Sequence, residues 1–111
     1  MKKKLFIDFD GVLNTYKGWQ GDDELYEPMP NTKEFLKNLS ERYEVYIFTT
    51  RDREPVCKWL IRYHLDNYIK DVTNKKKPAF LYIDDRALTF GGDYRKTLEE
   101  IEKFSPHWQA K

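Results

Sequence analysis

The chain has 111 residues, 40% of them hydrophobic and 16% aromatic, which is enough for one domain with a packed core and argues against disorder. Its 20 basic and 19 acidic residues leave a net charge of +1, so overall charge gives no argument for binding nucleic acid or a membrane. The single cysteine, Cys57, excludes an intrachain disulfide and a zinc site built on thiolates. Charges interrupt every apolar run and no signal-peptide pattern is present, so we expect a soluble cytoplasmic protein without a membrane partner.

The first predicted element is a buried strand over residues 4–10 that ends in two carboxylates. Its apolar run is short, aromatic and β-branched, and Gly11 stops it. Burying the ionised carboxylates of Asp8 and Asp10 is costly unless a cation or hydrogen bonds compensate. The pattern therefore indicates a metal site or a reaction at this point. The alternative is a strand followed by an ordinary Asp-Gly turn.

A connection over residues 14–30 follows without clear periodicity, and loops of this length often cover functional sites. We expect a flap-like loop there, although an ordinary surface loop is an equal alternative. A helix is predicted next over residues 32–42, with Asn31 as its N-cap and Glu34 as the capping-box partner.

The remaining predicted elements alternate between strands and helices. They are a strand over 43–50, a helix from Asp52 to about 64, a short strand near 69–72, a strand over 80–85, and a helix between Asp93 and Pro106. The apolar positions of the last helix, Tyr94, Leu98, Ile101 and Phe104, are predicted to face the core. This alternation predicts one domain over 1–111, a three-layer α/β/α fold with a mostly parallel central sheet.

Three of these strands end in groups that bind metal ions or phosphate. They are followed by Asp8 and Asp10, by Thr49 and Thr50, and by Asp84 and Asp85. Ligands bind at the carboxyl ends of strands in such sheets, so we expect these groups to share one site. Carboxylates so close together repel each other unless a cation intervenes, and Mg²⁺ suits oxygen ligands combined with waters and a phosphate.

These residue types suggest phosphoryl transfer. One aspartate can attack phosphorus, while a second carboxylate protonates the leaving oxygen and then activates water. A threonine hydroxyl and a lysine can bind the phosphoryl oxygens, and Lys77 precedes the strand over 80–85. The alternative for Lys77 is a solvated basic turn. Arg51 directly follows Thr50 and could reach a substrate phosphate or a neighbouring carboxylate. The alternative is a salt bridge at the rim of the site.

On these motifs, in this order and across nearly the whole chain, the sequence resembles the haloacid dehalogenase (HAD) superfamily of phosphohydrolases. The resemblance implies a Rossmann-like fold and Mg²⁺-dependent phosphatase chemistry through an aspartyl-phosphate. It implies that Asp8 is the nucleophile and a metal ligand, and that Asp10 is the general acid/base and gives its backbone carbonyl to the metal. It implies phosphoryl binding by Thr49, or Thr50, and by Lys77, with Asp84 or Asp85 completing the metal site and Gly11, Thr50 and Arg51 contacting substrate.

The spacing of the motifs leaves no room for a cap domain. Only 38 residues separate Asp10 from Thr49, and only 27 separate Thr49 from Lys77. We therefore expect an open site that accepts a phosphate on a large partner, such as a nucleic-acid end or a protein, or that is completed by self-association into a homo-oligomer.

Two alternatives to a general phosphatase remain. One is a polynucleotide-end or nucleotide phosphatase, for which the basic runs near Lys2 and Lys75 would assist binding. The other is a non-catalytic binding module that keeps the HAD fold and shows no turnover.

Overall fold

The computed structural model describes residues 2–109 as a parallel sheet with three α-helices. The strands are β1 (Lys3–Asp8), β2 (Tyr43–Phe48), β3 (Asp71–Thr73) and β4 (Leu81–Ile83), and the helices are α1 (Thr32–Arg42), α2 (Arg53–Arg62) and α3 (Tyr94–Lys103). The strand order is β3-β2-β1-β4, and every neighbouring pair is parallel. The predicted α/β fold with a parallel sheet is therefore confirmed. Among these helices, none has the length and hydropathy needed to cross a bilayer.

The hydrophobic core lies on one face of the sheet, beneath α1 and α2. Side chains alternate along a strand, so Leu5 and Ile7 of β1 point to this face together with Val45 and Ile47 of β2. The same cluster includes Leu36 of α1 and Val56, Trp59 and Leu60 of α2. Because a shift of one residue would turn this apolar set to the other face, the core fixes the register of β1 against β2. That register pairs Asp8 with Phe48, so Thr49 begins just beyond the same edge.

The opposite face of the sheet carries aromatic side chains. Phe6 stacks between Tyr46 and Tyr82, with ring centroids 4.9 and 5.0 Å away. The prediction that α3 turns an apolar side to the core is wrong, since Leu98 is 65% exposed and no residue of α3 is buried. The spacing of apolar residues shows which side of a helix is apolar, but not whether another element covers it.

The expected self-association of the protein into a homo-oligomer stays a prediction.

Three predicted strands end earlier than the sequence indicated, and β2 stops at Phe48, before its two threonines. β1 stops at Asp8 because a turn follows, in which the Leu13 N–H donates to the Phe9 carbonyl at 3.0 Å and Gly11 adopts φ +83°. Only glycine enters that region without a steric cost. β4 likewise stops at Ile83, before its two carboxylates. As a result, Asp8 lies at the end of β1 while Asp10, Asp84 and Asp85 lie on the loops beyond the strands, at the same edge of the sheet.

The predicted capping box of α1 is absent. Asn31 has a left-handed backbone (φ 67°) and makes no side-chain cap hydrogen bond, whereas a capping side chain needs an extended backbone to reach the first helical N–H groups. Instead, the Thr32 hydroxyl donates to the Met29 carbonyl at 2.6 Å. Asp52 makes no cap hydrogen bond to α2 either. Asp93 does cap α3, because its carboxylate accepts from the Lys96 N–H at 3.2 Å.

Candidate active site

The loops that follow β1, β2 and β4 surround a cavity of about 320 Å³ at the carboxyl edge of the sheet. Its lining residues are Asp8, Asp10, Tyr16, Trp19, Phe48, Thr49, Thr50, Asp84, Asp85 and Arg86. The structure thus brings together the three groups of residues that the sequence placed at strand ends. Larger hollows of about 590 and 650 Å³ occur elsewhere on the described surface, but the acidic residues of this edge do not line them.

An acidic cluster forms the floor of this cavity. One carboxylate oxygen from each of Asp8, Asp84 and Asp85 lies within 4.8 Å of the other two. Asp8 and Asp85 are half-buried, and Asp84 is exposed. The side chain of Asp10 is not a member of this cluster. Its predicted contribution to a metal site, through the backbone carbonyl, stays a prediction.

The negative charges in this cluster change the ionisation of its members. Burial raises the pKa of Asp8 from 3.8 to about 8, and contact with Asp85 and the charges of Asp84 and Asp85 act in the same direction. Burial also acts to raise the pKa of Asp85, but hydrogen bonds from Asp8 and Trp108 outweigh it, so the pKa of that carboxyl lies below its usual range. The two carboxylates therefore share one proton, which is held by Asp8.

The acidic cluster has the donor set that a hard divalent cation requires. All of its ligand atoms are carboxylate oxygens, which Mg²⁺ prefers. In addition, the Oδ1 atom of Asp85 is buried and has no hydrogen-bond partner among the described residues. A buried carboxylate oxygen without a partner is costly, and a cation bound between the three side chains would remove that cost.

Asp10 lies in a different environment, where two buried side chains hold its carboxylate. Arg51 donates from Nε to Asp10 Oδ2 at 2.7 Å, and Asn14 donates from Nδ2 to Asp10 Oδ1 at 3.0 Å. Arg51 is 9% exposed and Asn14 is fully buried. The sequence analysis left open whether Arg51 reaches a substrate phosphate or a neighbouring carboxylate. In the structure its guanidinium contacts the neighbouring carboxylate, that of Asp10. Asp10 is therefore fixed in orientation beside the acidic cluster.

The loop over residues 14–30 is tied to the body of the protein at several points. Its base is closed by the Thr15 N–H, which donates to the Glu27 carbonyl at 2.8 Å. Arg51 Nη2 donates to the Glu24 carbonyl at 3.1 Å, and the indole of Trp59 donates to the Tyr26 carbonyl at 2.8 Å. These bonds make the loop an ordered wall of the cavity. They hold it against the same arginine that fixes Asp10.

The two threonines after β2 both line the cavity but differ in burial. Thr49 is 3% exposed, and its hydroxyl oxygen accepts the Arg51 N–H at 3.2 Å, which leaves its hydroxyl hydrogen available to a ligand. Thr50 is exposed. The choice of Thr49 as the phosphoryl-binding group stays a prediction, since both threonines line the cavity.

Three of the predicted residues do not line this cavity, and one of them is Arg51, which lies against Asp10. Lys77 lies in the exposed connection before β4, where its N–H donates to the Tyr82 hydroxyl at 2.7 Å, and its charge helps to lower the pKa of Asp71. Its role in phosphoryl binding stays a prediction. Gly11 is buried next to the cavity, and its N–H donates to Asn14 Oδ1 at 2.9 Å. A side chain at position 11 would overlap Asp85 and Trp108. Because glycine has none, those two residues can lie close to the backbone of Gly11.

Sequence reasoning missed three residues that contact the site. Asn14 holds Asp10, His107 bonds through Nε2 to the Gly11 carbonyl, and Trp108 donates its indole N–H to Asp85. A buried asparagine four residues after Asp10 leaves no periodic signal. His107 and Trp108 follow α3 in a short tail, and no spacing rule connects such a tail to the first strand.

Comparison with known proteins agrees with this geometry. The family model of the NLI interacting factor-like phosphatases matches residues 3–108. No curated protein matches the sequence. A solved structure, the conserved protein coded by a locus of Bacteroides thetaiotaomicron, is similar with a TM-score of 0.61 and 22% identity, over 93% of this chain and 92% of that one, and it supports the fold alone. The chain belongs to the NLI interacting factor-like phosphatase family, within the HAD superfamily.

Proposed function

We propose that this protein is a Mg²⁺-dependent phosphomonoester hydrolase that acts through an aspartyl-phosphate on Asp8. The main support is the arrangement of its carboxylates. Asp8 lies at the end of β1 in an acidic cluster, and it opens on the same cavity as Asp10, which is held separately by Arg51 and Asn14. Such a pair of carboxylates in different environments is what a nucleophile and an acid/base require.

The proposed reaction has two displacement steps at phosphorus. In the first, a carboxylate oxygen of Asp8 attacks phosphorus, the bond to the leaving oxygen breaks, and Asp10 gives its proton to that oxygen. In the second, Asp10 takes a proton from a water molecule that attacks the same phosphorus, and phosphate leaves as the Asp8 carboxylate is restored. The hydroxyl of Thr49 donates to a phosphoryl oxygen in both steps.

Asp8, with Asp84 or Asp85, would hold the metal ion. When bound there, Mg²⁺ supplies positive charge that keeps Asp8 ionised and offsets the charge of the phosphoryl oxygens. Arg51 and Asn14 hold the Asp10 carboxylate in one orientation, so that the same oxygen can face the leaving group and then the water.

The surroundings of the cavity favour a phosphate carried on a large partner. Between Asp10 and Thr49 the chain contains the loop over 14–30, α1 and β2, and the described residues form no folded cap over the cavity. Trp19, on the rim, is 57% exposed. A substrate can therefore extend beyond the cavity while its phosphate reaches Asp8.

A second candidate function is the removal of phosphate from a nucleotide or a nucleic-acid end. Its support is the aromatic rim, where Trp19 packs against the Arg51 guanidinium, with its ring centre 4.9 Å from Cζ. Arg86 also lines the cavity and offers a second positive group to a phosphate. An exposed indole held in place can stack on a base, which contributes about 1–3 kcal/mol per base.

The central assignment is tested by Asp8→Asn with an aryl phosphate as substrate. The wild-type protein should turn over only with Mg²⁺, and Asp8→Asn should lose at least about 1,000-fold in kcat, because the amide cannot form the intermediate. Asp71→Asn is the matched control, since Asp71 pairs with Arg53 at the exposed edge of β3 and should leave turnover unchanged. Equal turnover in wild type and Asp8→Asn would contradict the proposal, and Mg²⁺ binding without turnover in any variant would favour a binding module.

The raised pKa of Asp8 predicts how stability depends on pH. In metal-free protein the folded state keeps a proton on Asp8 up to about pH 8, whereas the unfolded chain releases it near 3.8. Because the folded state binds more protons, the free energy of unfolding should fall as the pH rises from about 5 to 8. Urea denaturation in EDTA should show this fall, Asp8→Asn should flatten it, and Mg²⁺ should restore stability at pH 8. A flat wild-type profile would be inconsistent with a buried, protonated Asp8.

The second candidate predicts a difference between substrates. Trp19→Ala should lower kcat/KM for a phosphorylated oligonucleotide by about tenfold more than for an aryl phosphate, since only the oligonucleotide can stack on the indole. Raising NaCl from 50 to 200 mM should also weaken the oligonucleotide reaction more strongly, because phosphate contacts are salt-dependent. Parallel losses for both substrates, or no preference for the oligonucleotide in wild type, would count against this function.

A further inference from the structure

The segment that follows α3 returns to the carboxyl edge of the sheet. Pro106 is buried, and its carbonyl accepts the Gln109 N–H at 3.1 Å, so the segment forms a closed turn. Within this turn, His107 Nε2 forms a hydrogen bond with the carbonyl oxygen of Gly11, the residue that follows Asp10. We call residues 105–109 the C-terminal turn.

Trp108 of the C-terminal turn contacts the acidic cluster directly. Its indole Nε1 donates to Asp85 Oδ2, while Asp85 Oδ1 is buried and has no hydrogen-bond partner in the described part of the chain. One oxygen of this carboxylate, Oδ2, is therefore held by the indole of Trp108. The other has no hydrogen-bond partner within residues 2–109 to compete with a cation, and one oxygen of each member of the cluster lies within 4.8 Å of the others.

The indole of Trp108 is itself held on several sides. Tyr16 packs edge-on against it at 4.7 Å between ring centroids, and the guanidinium of Arg86 lies over the ring at 5.0 Å. Gly11 lies so close that a Cβ there would overlap both Trp108 and Asp85. A ring confined in this way can fix the orientation of the carboxylate it binds, because neither group can rotate freely.

We propose that Trp108 is a positioning residue that orients Asp85 for the cation of the acidic cluster. This inference rests on the proposed function, since it requires that Asp8, Asp84 and Asp85 bind Mg²⁺. Outer hydrogen bonds to ligating carboxylates raise metal affinity by about 10- to 100-fold, because they hold the ligand in its binding orientation before the metal arrives. The C-terminal turn thus supports a metal site whose carboxylates lie at the end of β1 and just after β4.

Trp108→Phe tests this role because it removes the indole N–H and keeps an aromatic ring. Its Mg²⁺ dissociation constant, measured by titration calorimetry, should rise about tenfold or more above that of wild type. Asp71→Asn is the control, since it removes a carboxylate that pairs with Arg53 at the exposed edge of β3. Its Mg²⁺ affinity should stay at the wild-type value even where its unfolding temperature falls.

The outcomes separate the two proposals. Wild-type Mg²⁺ affinity in Trp108→Phe would overturn the role of Trp108 and leave the proposed function intact. Absence of Mg²⁺ binding by wild type would overturn the metal site and this inference with it. A second measurement on the wild-type protein avoids any folding defect of the variant: the indole N–H resonance of Trp108 should shift on addition of Mg²⁺ while that of Trp59 does not. An unchanged Trp108 resonance would overturn the inference.

Discussion

The constraint on which this site depends is the cost of placing several carboxylates at one edge of a parallel sheet. Asp8 lies at the end of β1, at the edge of the sheet where Asp84 and Asp85 also lie. The register of β1 against β2 fixes Asp8 at that edge. Without a counter-ion the cluster keeps a proton, and the pKa of Asp8 rises to about 8. The hydrophobic core of the domain thus forces together groups that repel each other, and a cation is the simplest physical reason for keeping them there.

Two carboxylates separated by one residue therefore reach different chemical states. Asp8 ends a strand and shares a proton with Asp85, whereas Asp10 lies in the following turn and is bound by Arg51 and Asn14. The turn that ends β1 at Asp8 creates this difference, because it lifts Asp10 away from the sheet and toward the loop over 14–30. The different environments of Asp8 and Asp10 therefore combine this local turn with contacts from distant segments, those of Asp84 and Asp85 with Asp8 and that of Arg51 with Asp10.

The sequence predicted the parts of the fold that depend on local patterns. The apolar runs of β1 and β2, the span of α1 and the convergence of carboxylates at one edge follow from periodicity and from the rule for parallel sheets. Contacts between distant segments were not predictable in the same way. Trp108 reaches Asp85 because of a turn after α3, and the exposed side of α3 carries the same spacing that a buried helix would have.

The missed contacts also explain how groups of the candidate site keep their orientation. Each candidate group is held from behind by a side chain of another segment: Asp10 by Arg51 from beyond β2, and Asp85 by Trp108 from the C-terminal turn. Arg51 also binds the loop that walls the cavity, through the Glu24 carbonyl. Orientation of these candidate groups therefore comes from a few partly buried contacts with other segments. Such an arrangement fixes Asp10 and Asp85 by contacts made at the sheet edge itself, while Trp19 on the rim of the cavity remains exposed.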